Sequence, residues 1–207
     1  MKRILVIAPH TDDGEFGCGG SIVKFIEQGE DVYYIAFSTA EQSVPIGMPK
    51  NILETEVKEA TGRLGISSRN LIIYKHEVRK LNYIRQDILE ELVKIKKEIE
   101  PHLVLSPVAS DIHQDHSTVA IETIRAFKQT SILGYELPWN NISFTTQAFS
   151  KLNSTHIERK INAIRAYKSQ AGKAYTQRGF IRGLAKMRGV QIGAEYAEAF
   201  EVIRWVM

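Results

Sequence analysis

The chain predicts an α/β fold built on a mostly parallel sheet, and three observations carry that expectation. Short apolar runs that read as buried strands alternate with stretches of helical periodicity. The intervening helices have the length that connects strands in βαβ units. Polar clusters follow the apolar runs: Ala8-Pro-His-Thr-Asp-Asp-Gly-Glu15 comes directly after Ile4–Ile7. Short polar loops at the carboxyl ends of strands are where open α/β sheets place ligands and metals.

Taken in order, Lys2 to Ala8 reads as a fully buried strand, and Gly20 to Gln28 as a helix with Ile22, Val23 and Ile26 inward. Asp31 to Phe37 is a second strand, followed by a loop rich in turn formers from Ser38 to Lys50. Asn51 to Leu64 places Ile52, Val57, Ala60 and Leu64 on one helical face, with Gly65 as its C-terminal cap. Leu71 to Tyr74 is a short strand. Tyr83 to Ile99 is a long helix with Ile84, Ile88, Leu92 and Ile95 in its inward stripe, ended by Pro101. His102 to Ser106 is a strand, and a helix begins near His116 or Ser117 after a polar loop. Ile132 to Leu137 is another strand, and helical patterns cover His156 to Gln170 and Tyr175 to Met187. A β-like run from Ala199 to Val206 closes the chain. No repeat or linker divides the 207 residues, so one domain over 1–207 is expected, large enough for a substantial core.

Composition excludes several classes. Apolar content of 43% and charged content of 25% are ordinary for a soluble globular protein. Lys and Arg exceed Asp and Glu by three (27 against 24), and the excess is dispersed, which gives no footing for nucleic acid. The densest basic stretch, Lys94-Ile-Lys-Lys97, is flanked by Glu90, Glu91, Glu98 and Glu100, as on a solvated helix face. One cysteine, Cys18, rules out an internal disulfide and a multi-cysteine zinc site, and reads as a small buried hydrophobe. The first strand leaves no room for a signal peptide, and no apolar run is long enough to span a bilayer. A cytoplasmic soluble protein is the expectation.

The chemistry lies in two clusters. His10 and Asp13 can face one point, and catalytic zinc takes three protein ligands plus water. The third ligand comes from Asp111-Ile-His-Gln-Asp-His116, as His113 or His116; spacing leaves that choice open. The remaining groups suit the hydrolysis of a carbonyl compound. Asp12 is placed to take a proton from water, while His113, kept charged by Asp115, would stabilise an oxyanion. Asp111 reads as a loop-shaping residue, and His76, His102 and His156 as structural or surface residues. Tyr135, Glu136 and Trp139 follow a strand and could line the mouth of the same site. Three other readings compete with this one. A dinucleotide loop fails because Ile22 stands where G-x-G-x-x-G needs glycine or alanine. A non-haem iron oxygenase uses the same two-histidine, one-carboxylate set, but commonly on a jelly roll rather than alternating strands and helices. A metal-binding module without activity is disfavoured because Asp12, His113 and Asp115 are all present.

His10-Thr-Asp-Asp13 and His113-Gln-Asp-His116 resemble the two signature motifs of the PIG-L/LmbE-like family of metal-dependent N-deacetylases, and Tyr196-Ala-Glu-Ala-Phe200 resembles its closing segment. The resemblance implies a Rossmann-like three-layer fold and removal of an acetyl group from an amino sugar or sugar conjugate. It implies Zn2+, or another divalent metal such as Fe2+, on His10, Asp13 and His116. Asp12 would then be the general base, and His113 the oxyanion stabiliser with Asp115 behind it. Self-association into a homo-oligomer is also implied. Three positions depart from the family pattern: Thr11 stands for proline, Gly14 for an acidic residue, and Leu53 for an arginine often used in substrate contact.

Overall fold

A computed structural model describes residues 1–207. The strands are β1 (Arg3–His10), β2 (Asp31–Ser38), β3 (Leu71–Ile73), β4 (Leu103–Ser106), β5 (Ser131–Tyr135), β6 (Ala148–Leu152) and β7 (Tyr196–Arg204). The helices are α1 (Asp13–Glu27), α2 (Ile52–Leu64), α3 (Arg85–Ile99), α4 (Gln114–Ala126), α5 (Ser154–Ile164) and α6 (Arg178–Val190). All seven strands form one sheet in the order β3-β2-β1-β4-β5-β7-β6. Strands β1 to β5 run parallel to one another, while β7 runs antiparallel to both β5 and β6.

Along β1 the side chains alternate between two cores. Ile4, Val6 and Ala8 join a cluster containing Ile22 of α1, Val57 of α2, Ile161 of α5 and Ile181 of α6. Leu5 and Ile7 join a second cluster with Ile88 and Leu92 of α3 and Val119 of α4. From Ile4 to Ala8 the strand is therefore apolar at every position, because helices cover both faces of the sheet. The result is the three-layer α/β arrangement expected from the alternation of elements. No helix is long and apolar enough to cross a membrane.

Several elements differ from expectation, two of them most clearly. The helix after β1 starts at Asp13 rather than Gly20, and breaks at Cys18, whose φ and ψ are −143° and 22°. Gly17 and Gly20 sit inside this helix, where other elements approach it closely. A Cβ on Gly17 would lie 2.3 Å from the Tyr135 ring, and one on Gly20 would lie 2.6 Å from Leu152. The second difference is β6, an edge strand that the pattern gave no reason to expect. Gly65 does cap α2, at a φ of +102° that favours glycine.

Topology sets the position of the site. From β1 the chain moves outward through β2 to β3, then returns to place β4 on the other side of β1. Strand order reverses between β1 and β4, whose Ile4–Val6 and Leu103–Leu105 pair in parallel. The crevice above their carboxyl ends is a topological switch point.

Candidate metal centre

His10 is the last residue of β1, and Asp12 and Asp13 open α1 immediately beyond it. The loop is tight: the Asp13 carboxylate turns back to accept the His10 backbone N–H at 2.8 Å. From the neighbouring strand, the loop after β4 brings Asp111, and α4 begins with His113 as its N-cap. Asp115 and His116 therefore lie in the first turn of α4, two residues earlier than the expected start of that helix.

Three atoms of metal-binding type converge. His10 Nδ1 and His116 Nε2 are 3.1 Å apart, and Asp13 Oδ2 lies 3.3 Å from the first and 3.2 Å from the second. Four ligands held tetrahedrally at about 2.0–2.1 Å from zinc stand roughly 3.3 Å from one another. The spacing of this trio fits such an ion. His113 belongs to the same neighbourhood, since ring nitrogens of His10, His113 and His116 all lie within 4.8 Å of one another. That histidine group could also hold a metal.

Each of the two converging imidazoles has a carboxylate on its other nitrogen. Asp115 Oδ2 is 3.0 Å from His10 Nε2, and Asp111 Oδ2 is 2.8 Å from His116 Nδ1. Such partners fix the ring orientation and the tautomer of metal-binding histidines. Asp111 thus does more than shape its loop, although its other oxygen does accept the His113 backbone N–H at 2.8 Å. The expected pairing of Asp115 with His113 is not the one formed. The carboxylate of Asp115 goes to His10 and to the backbone N–H groups of Arg79 and Leu81, at 2.6 and 3.1 Å. Only its own N–H meets His113, donating to Nδ1 at 3.2 Å. N-cap geometry explains the difference: His113 caps α4 with its ring, while the Asp115 side chain turns away from it toward β1.

Electrostatics follow from these contacts. Burial opposes charge on His10, but the Asp13 charge and hydrogen bonds to Asp115 and Asp13 outweigh it and raise its pKa to about 9. His116 rises to about 10 against the same opposition, through Asp13 and Asp111. Burial would push Asp13 up, but the His116 and His10 charges hold it well below the usual carboxylate range. Asp12 is raised to about 6, first by burial and then by the Asp13 charge. Its half-buried carboxylate has no ion-pair partner. The His113 pKa is lowered by burial and by its positively charged neighbours.

Sequence reasoning did not single out the groups that hold this loop from behind. Glu15 is fully buried between Tyr34 and Tyr167, which both contact its carboxyl group and the Thr11 carbonyl. Burial raises the Glu15 pKa to about 8. At the Cys18 break, Glu198 accepts the N–H groups of Gly20 and Ser21 at 2.9 and 2.7 Å. Lys160 Nζ bridges the break by donating to Phe16 C=O and to Glu198, each at 2.6 Å. A buried ion pair thus satisfies backbone groups on both sides of the kink that angles the Asp13 turn toward the crevice. Glu198 lies in Tyr196–Phe200, the segment noted for its resemblance.

The trio opens into a cleft of about 240 Å³, lined also by Asp12, His113, Ser43, Asn140 and Leu53. Phe16, Trp139 and Tyr175 form an aromatic wall: the Trp139 and Tyr175 rings stack with centroids 4.1 Å apart, and Phe16 meets both edge-on. Of the three residues expected at the mouth, Trp139 lines the cleft and two do not. Tyr135 is completely buried, with its hydroxyl donating to Ile7 C=O at 3.0 Å and its ring packed on Gly17. Glu136 faces a separate pocket behind the aromatic wall, where it pairs with Arg188. His76 and His156 hold Glu91 and Glu27 respectively, His102 accepts the Arg3 N–H, and all three lie outside the cleft.

The chain has relatives among known proteins. A family model described as PIG-L, GlcNAc-PI de-N-acetylase, matches residues 5–127, which contain both clusters. The uncharacterised deacetylase YaiS of Escherichia coli is 26% identical over 175 residues, covering 81% of this chain and 91% of the relative. The diacetylchitobiose deacetylase of Thermococcus kodakarensis is 24% identical, covering 98% of this chain and 84% of the relative. Among solved structures, a conserved protein of Thermus thermophilus superposes with a TM-score of 0.86 at 24% identity, over 100% of this chain and 97% of that one.

Proposed function

The chain belongs to the PIG-L family of de-N-acetylases and is an amide hydrolase of that family; from that premise we propose that it is a zinc enzyme removing the acetyl group of an N-acetylated amino sugar or sugar conjugate. The observation that carries the reading is the convergence of His10 Nδ1, Asp13 Oδ2 and His116 Nε2 to 3.1–3.3 Å beside the unpaired carboxylate of Asp12. His10, Asp13 and His116 hold the metal, oriented by Asp115 and Asp111. A divalent cation there supplies Lewis acidity, polarising the amide carbonyl and making a water acidic enough to attack it at neutral pH.

The remaining steps belong to the chain's own side chains. Asp12 accepts the proton as the water oxygen bonds to the acyl carbon; a base with a pKa of about 6 is ionised at neutral pH and still returns a proton readily. As the C–N bond breaks, Asp12 passes that proton to the departing nitrogen, giving a carboxylate and a free amine. His113 accepts the Asp115 N–H at Nδ1, so its neutral ring carries hydrogen at Nε2. That N–H is the donor for the developing oxyanion, which replaces the charged imidazole expected from sequence. The amino-sugar substrate is supported by the Thermococcus relative, a diacetylchitobiose deacetylase. The aromatic wall suits the apolar face of a sugar ring, and Ser43 and Asn140 suit its hydroxyls.

The test is Asp12→Asn in protein loaded with metal. Turnover of an N-acetylated amino sugar is expected to fall by about 10²–10⁴-fold with metal content unchanged. Undiminished turnover with metal bound would remove Asp12 from the mechanism.

A further inference from the structure

Gln170 Oε1 is the single buried side-chain oxygen or nitrogen in the protein without a hydrogen-bond partner. Gln170 lines the cleft and is only 7% exposed. Its orientation is set by the neighbouring network. Glu56 accepts both the N–H and the hydroxyl of Ser169, at 3.0 and 2.5 Å, so the only proton on Ser169 Oγ is committed. Toward Gln170 that oxygen can only accept, and Gln170 Nε2 donates to it at 3.2 Å. The amide oxygen is thereby left as an acceptor in the cleft wall, where an unsatisfied buried group is unfavourable until a donor arrives.

Three residues further on is Lys173, the one lysine or arginine lining the cleft. It forms no ion pair, and its Nζ lies 5.5 Å from the centroid of Tyr175, the outer member of the aromatic wall. The backbone links the two residues, with Lys173 N–H donating to Gln170 C=O at 3.0 Å. The segment after α5 thus presents an acceptor, a cation that also acts on Asp12 and Tyr175, and an aromatic face to the same space.

We propose that residues Gln170, Lys173 and Tyr175 form a subsite for an acidic sugar: Tyr175 takes the ring face, Gln170 Oε1 a ring hydroxyl, and Lys173 an anionic substituent. The substrate class is then an N-acetylated amino sugar carrying a phosphomonoester or a carboxylate. This rests on the deacetylase reading above and narrows it. Lys173 is the positive charge in a cleft whose Asp12 and Asp13 carry negative charge, so it is the group there that can favour an anionic substituent.

The experiment compares acetate release from N-acetylglucosamine, N-acetylglucosamine 6-phosphate and N-acetylmuramic acid, and in parallel measures binding of glucose and glucose 6-phosphate by calorimetry. One or both acidic substrates are expected to exceed the neutral one at least about tenfold in kcat/KM, through KM. Which of them does so distinguishes phosphate from carboxylate. Lys173→Glu should lower that preference about tenfold or more and weaken glucose 6-phosphate binding relative to glucose. Gln170→Leu should raise KM for neutral and acidic sugars alike. Equal turnover of neutral and acidic sugars, or a preference that survives Lys173→Glu, overturns the subsite while leaving the deacetylase reading intact. No acetate from any substrate, with glucose 6-phosphate binding still dependent on Lys173, overturns the deacetylase reading and keeps the subsite. No acetate and no such dependence overturns both.

Discussion

Replacing Asp111 by asparagine isolates what a carboxylate behind a ligand contributes to metal binding. Asp111 Oδ2 lies 2.8 Å from His116 Nδ1, and both residues are buried, at 4% and 2% exposure. Asparagine preserves size and an acceptor oxygen, so mainly the negative charge is lost. A charge roughly 5 Å from the imidazole centre, at an effective dielectric near 20, interacts by about 3 kcal/mol. The retained hydrogen bond recovers part of that. Removal of such partners typically weakens metal binding about 10–100-fold, or about 1.4–2.8 kcal/mol. We expect Asp111→Asn to lower zinc affinity roughly 30-fold, read by competition with a chromophoric chelator at fixed pH, with an unchanged far-UV spectrum. Asp115→Asn should act comparably through His10. Zinc affinity within about threefold of the parent in Asp111→Asn refutes the reasoning, because His116 would then need no oriented partner.

Two further outcomes follow from the same contacts. With His10 and His116 raised to about 9 and about 10, both are protonated at pH 7 before metal binds, yet ligation requires their free lone pairs. Metal uptake at pH 7 should therefore release about two protons, and affinity should rise about 100-fold per pH unit toward pH 8. Calorimetry in buffers of different ionisation enthalpy counts them, and a release below one proton contradicts the pairing. Glu198→Gln strips the Lys160 ion pair of one partner and should destabilise the fold by about 3–5 kcal/mol in urea unfolding. Lys160→Met should behave similarly, and the double variant should lose less than the sum; strict additivity would show that the two do not act as a pair.

The parallel part of the sheet was legible because its strands are apolar on both faces and each is followed by a helix. β6 was not: Ala148–Leu152 is a half-exposed edge strand whose pairing with β7 is a tertiary choice. The start of α1 was placed too late, at Gly20 rather than Asp13, for a physical reason. Gly17 and Gly20 signal a turn in isolation, but here they let Tyr135 and Leu152 pack on a helix. At the site, the residue types and their two clusters were readable, while their partnerships were not. Asp115 is two residues from His113 in sequence, yet its carboxylate crosses to His10 on another strand. The helical pattern around Gln170 reads as the end of a long helix; α5 stops at Ile164, and that early end frees the turn that enters the cleft.

The most direct measurement is acetate release from an N-acetylated amino sugar by the purified protein, stripped of metal and then titrated with zinc. The account predicts equimolar acetate and free amine, activity that disappears with the chelator, and recovery that saturates at one zinc per chain. Hydrolysis that persists in fully metal-free protein would contradict it, as would a zinc-saturated protein that releases no acetate from any N-acetylated sugar.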